Sequence, residues 1–215
     1  AAAGAAGLPH PLPSFGTDSV WLSEIRARGT KVLVPRMGHA AQAVAACLRG
    51  AGVDAECLPA ADREALELGR RHTSGKECIP AIITLGSLLK RLDELRAGDQ
   101  RVAIFMPSAR GPCRFGVYNI LDRLVLERLG WAGRAEVWSP ESRNYFHGVP
   151  PGLAARAYAG MRAMDLLEAA LYDVRPVEAR KGETDRVFRR HQHELLSLLE
   201  TPAPDIDAER PLEAA

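Results

Sequence analysis

Hydrophobic residues first fall into order at KVLVP, Lys31 to Pro35, a short apolar run ending in proline, as buried parallel strands often do. In HAAQAVAACLRGAG, which follows, Ala40, Val44, Cys47 and Leu48 recur at helical spacing, and Gly52 comes after the last turn. DAECLP predicts a second strand. DREALELGRRH predicts a short helix, with Asp62 placed to cap it and acidic residues in its first turn. From Ile79 to Leu95 a wide stripe of Ile79, Ile82, Ile83, Leu88, Leu89, Leu92 and Leu95 leaves Lys90, Arg91, Asp93 and Glu94 off it, which predicts a long helix. RVAIFMP is a third strand, and SARGPCRFG links it to a helix over about Val117 to Leu129. AEVWSP is a fourth. Beyond Pro151 the period is helical only: Leu153, Ala157, Met161, Met164, Leu167 and Leu171 form one face, and Phe188, His191, Leu195, Leu198 and Leu199 another.

Strands alternating with helices in this way predict an α/β fold of three layers. Its core is a Rossmann-like or flavodoxin-like parallel sheet of about four strands with right-handed crossovers, and helices follow at the C-terminal end. Residues 1–29 are expected to be a flexible lead-in, 30–200 the α/β lobe, and 201–215, Pro-rich and acidic, a disordered tail.

Composition narrows the functional classes. At 215 residues and 47% apolar, the chain can bury a core. Its 28 basic and 27 acidic residues nearly cancel, so no overall field favours nucleic acid or an anionic membrane, and no apolar run approaches a membrane span. Specificity must come from a local site. Four cysteines are too few for a secreted disulfide scaffold, and with no export signal recognisable at the amino end the expected location is the cytoplasm.

Two loops compete for that site. HTSGKEC has the glycine and lysine of a phosphate loop, but Gly69 and Gly75 are one residue too far apart, and Glu77 follows Lys76 where a metal-binding hydroxyl is needed. The nucleotide reading therefore fails on chemistry. Cys78 is the better candidate: it stands where a helix begins, just before Pro80, and a helix amino end together with nearby Lys76 favours the thiolate. Cys113 has a parallel setting, with Gly111 and Pro112 shaping the turn and Arg114 supplying a cation. Loops that lead into consecutive helices of such a sheet can converge on one rim. Cys47, on a helix stripe, and Cys57, in a strand, read as small buried hydrophobes.

The segments LGRRHTSGKECIPAIITLGSLLK and RVAIFMPSARGPCRFGVYNILDRLVLERLG resemble the 2-hydroxyacyl-CoA dehydratase activase-related family, relatives of the dehydratase and benzoyl-CoA reductase subunits. VLVPRMG, GVDAECLP and MRAMDLLEAALYDVRPVEARKGETD extend the resemblance over roughly Thr30 to Glu200. It implies an oxygen-sensitive [4Fe-4S] cluster in a cytoplasmic protein that takes electrons from an ATP-dependent activator or electron donor. By match to the motif, Cys78 and Cys113 are ligands. Gly75, Lys76, Pro80, Gly111, Pro112, Arg114 and Gly116 would shape and polarise the cluster pocket by their chemistry. The relatives use more than two cysteines per cluster and commonly carry a second α/β lobe. The implied ligand set is thus incomplete in this chain, and a missing second lobe or second subunit is expected to complete it. No activity is expected from the chain alone.

Other residues add less. His72 lies near the suspected pocket, and Arg143, Asn144, Tyr145 and His147 follow the fourth strand at the same expected rim, where they could line a CoA or acyl pocket. His191 and His193 are two positions apart, about 200° around a helix, and read as core packing and solvent rather than metal ligands. The competing function is a cluster-free α/β module that binds a CoA-like ligand or a protein partner.

Overall fold

The computed structural model describes residues 22–109, 111–140 and 149–202. Four short strands form one sheet: β1 (Lys31–Val34), β2 (Ala55–Cys57), β3 (Val102–Phe105) and β4 (Ala135–Trp138). They are all parallel, in the order β2-β1-β3-β4, with Val32 opposite both Ala55 and Ala103, and Ile104 opposite Val137. The expected α/β architecture is the one observed, including the helices at the C-terminal end.

The helices are α1 (Leu22–Ala27), α2 (Ala40–Gly50), α3 (Arg63–Arg71), α4 (Ile79–Leu95), α5 (Tyr118–Arg128), α6 (Pro151–Val174) and α7 (Glu183–Glu200). Strand alternation sorts them into two layers. Val32, Val34 and Ala103 pack with Leu22, Ile25, Ala43, Cys47, Leu153 and Leu199, so α1, α2, α6 and α7 cover one face. Leu33, Val102 and Ile104 pack with Leu88, Leu92, Tyr118 and Leu126, so α4 and α5 cover the other. Helix α3 lies against α4 so closely that a Cβ on Gly86 would stand 1.8 Å from the Ala65 carbonyl oxygen. Asp62 caps α3, as its position predicts, by accepting the Ala65 N–H at 2.8 Å.

Two sequence expectations change. Part of the stretch expected as a flexible lead-in, residues 22–27, is helix α1, with Ile25 fully buried and Leu22 3% exposed. One short helical turn carries too weak a period to be recognised, and it is the open end of the first core that orders it. His191, expected in the core, is instead partly exposed and bonded through Nδ1 to Glu194 at 2.9 Å, while Leu198 is largely exposed. Helices α6 and α7 pack mainly on α2 and on each other, and among the described residues part of the α7 stripe stays uncovered.

The order β2-β1-β3-β4 places a switch point between β1 and β3, where the chain leaves toward opposite sides of the sheet. The carboxyl end of β3, and with it the Cys113 loop, opens at that switch. Helix α4 returns the chain to the amino end of β3, so its own amino end, Cys78, lies at the carboxyl rim. No helix among the described residues is long and apolar enough to cross a membrane.

Candidate functional site

Both cysteines emerge at helix starts. Cys78 is the N-cap of α4, with extended backbone (φ −71°, ψ 151°) and proline in the first turn behind it. Cys113 is the N-cap of the 3₁₀ turn Arg114–Val117 that leads into α5, again extended (φ −75°, ψ 134°). Neither side chain bonds to its own helix as a cap, so both sulfurs are left for other partners. The first-turn amides have no intrahelical acceptor and present positive charge at this end.

The two loops meet. Arg114 Nη1 donates to the Lys76 carbonyl at 2.7 Å, and Cys78 Sγ lies 2.8 Å from the Tyr118 hydroxyl. Tyr118, 5% exposed, opens α5 and packs its ring edge-on against Phe115 at 5.3 Å. The Tyr118 hydrogen bond holds the Cys78 thiol below its usual range against a burial cost; the Ala81 and Cys78 backbone N–H groups and the Arg114 guanidinium add to the effect. Tyr118 itself is pushed far up, by burial first, then by its bond to Cys78 and the charges of Cys78 and Cys113.

The neighbours expected to build the pocket divide by what they touch. Gly75 turns the first loop at φ +84°, a conformation that disfavours a side chain. A Cβ on Gly116 would lie 2.3 Å from the Ala109 carbonyl oxygen, and Ser108 Oγ donates to the Gly116 carbonyl at 3.1 Å, so the second loop closes tightly on itself. Pro80 occupies the first turn of α4, exposed. Gly111 and Pro112 are exposed, with open space around Gly111. Lys76 contributes its carbonyl, which accepts from Arg114 of the opposite loop, and the Arg114 guanidinium also acts on Cys78. His72 caps the end of α3, and Arg143, Asn144, Tyr145 and His147 lie outside the described residues.

Glu77 accounts for the failed phosphate loop. Its Oε1 accepts from both the Ser74 amide (3.2 Å) and the Ser74 hydroxyl (3.0 Å), so a carboxylate already occupies the donors a phosphate would need. Cys47 is fully buried and Cys57 partly so; burial pushes each thiol up to about 11, which keeps both protonated and inert.

The residue missed from sequence is Tyr118. Its place in GPCRFGVY, five residues beyond Cys113, is visible, but its contact with a cysteine 40 residues away is not.

For an iron-sulfur cluster the fit is partial. Two thiols at adjoining helix starts, first-turn amides and a guanidinium suit an anionic sulfur-ligated group. Among the described residues no group of three or more His, Cys, Asp or Glu side chains is arranged to hold a metal ion, so they complete no four-thiolate set. No family model, no curated protein and no solved structure matches the chain.

Proposed function

We propose that this chain is the cysteine-bearing lobe of an iron-sulfur electron-transfer system of the 2-hydroxyacyl-CoA dehydratase type, cytoplasmic and acting as part of a larger protein or complex. The observation that supports it most is the junction of the two cysteine loops, tied by the Arg114 bond to Lys76 and by the Tyr118 contact with Cys78. In this reading Cys78 and Cys113 hold a [4Fe-4S] cluster, and a second lobe or subunit supplies the remaining ligands. When bound, the cluster supplies a low-potential electron, delivered to it by an ATP-dependent activator.

The chain's own residues then have defined tasks. Arg114 and the first-turn amides of α4 offset negative charge at the sulfurs. Gly75 takes the left-handed turn of the first loop, and Gly116 lets the second loop fold closely onto Ala109. Tyr118 contacts the Cys78 sulfur through its hydroxyl at 2.8 Å.

Anaerobic purification followed by iron and acid-labile sulfide analysis tests the reading. Brown protein is expected, with most of its iron lost in Cys78→Ala and in Cys113→Ala and retained in Cys47→Ala. Colourless protein whose iron content does not respond to either loop variant would favour the rival, a cluster-free module for a CoA-like ligand or a protein partner.

A further inference from the structure

Cys78 and Cys113 share a helix-start setting, yet their surroundings differ. Cys113 is exposed, whereas Cys78 is partly buried and lies against the hydroxyl of Tyr118. Either atom of that 2.8 Å contact could be the donor while both carry protons. As a thiolate Cys78 can only accept, so the hydrogen bond to that form runs from the phenol to the sulfur.

We infer that Tyr118 is the positioning residue of the cysteine site: its O–H donates to Cys78 Sγ, anchors that sulfur between α4 and α5, and leaves Cys113 as the freely accessible member of the pair. The backbone is built for this. Tyr118 is the first residue of α5, its ring is seated in the core with Leu33, Ile104 and Met106, and Phe115 braces it edge-on. Phenylalanine at 118 would keep every ring contact and lose only the hydrogen bond. The inference concerns the same site as the proposed function but holds for a bare thiol pair as well as for a cluster.

The test uses metal-free full-length protein and Tyr118→Phe, each treated with iodoacetamide at one fixed pH and read cysteine by cysteine through peptide mass spectrometry. The expected result is a Cys78 rate changed by about threefold or more in the variant, because the hydrogen bond that holds and polarises its sulfur is lost. Cys113 should keep its rate and buried Cys47 its protection, which reports an intact fold. On unaltered protein, methylthiolation of Cys78 should move the ring resonance of Tyr118 alone among the four tyrosines, a readout independent of any variant. An unchanged Cys78 rate in a folded variant, or an unmoved Tyr118 resonance, overturns the inference. A chain that binds no iron but shows both effects would defeat the cluster reading and uphold this one.

Discussion

Asp122 lies on the face of α5 that also carries Tyr118 and Leu126, in a layer otherwise apolar, and its Oδ2 has no hydrogen-bond partner. Burial alone pushes its carboxyl up to about 7, since an unpaired carboxylate there would lose its hydration with nothing in return. The sign of the consequence follows from linkage. Below about pH 4 folded and unfolded chains are both protonated; between there and about pH 7 the unfolded chain gives up its proton while the folded one keeps it, so stability falls as pH rises. Urea denaturation across pH 4 to 8 should show that decline, and Asp122→Asn should remove much of it and be the more stable protein at pH 8, by on the order of a few kcal/mol. A flat profile in the unaltered chain would mean that Asp122 finds a partner. Neither this carboxyl nor the Tyr118 contact could be read from sequence, because an aspartate on a helix stripe looks like any solvated residue until its neighbours are known.

At the scale of elements, most of what was expected from period and punctuation is present. Four strands, the Asp62 cap, and the glycine turn after α2 are local matters, decided within about one helical turn. The 3₁₀ turn Arg114–Val117 inserted before α5 was not foreseen, and it is what gives Cys113 a helix start of its own. How close α3 and α4 approach was also hidden. Gly86 faces the Ala65 carbonyl with no room for a methyl group, so Gly86→Ala must part the two helices. A loss of about 2 kcal/mol or more in urea midpoint measurements is expected, and a change within error would mean that the pair slides apart cheaply.

For the whole molecule, α1 carries the folded unit back at least to Leu22. Ile25 is fully buried among Val53, Leu48 and Ala51, and the Lys31–Asp54 ion pair at 2.8 Å fastens the strand that follows α1 to the start of β2. Ile25→Ala is expected to cost about 3 kcal/mol, and a chain starting at Thr30 to melt well below the longer one in calorimetry. Equal melting temperatures would return residues 22–29 to the status of a loose leader.

The sequence by itself determined the alternation of strand and helix, the parallel sheet, the helices after β4, and the placing of Cys78 at a helix start and of Cys113 shortly before one, because propensity, capping and periodicity act between residues a few positions apart. Only the tertiary structure decided that the two loops touch, that Arg114 of one loop acts on the cysteine of the other, that Tyr118 contacts its sulfur, and that α1 closes the first core. Those outcomes depend on groups dozens of residues apart, whose meeting is set by the crossing of whole layers and by which side chains are shut away from water.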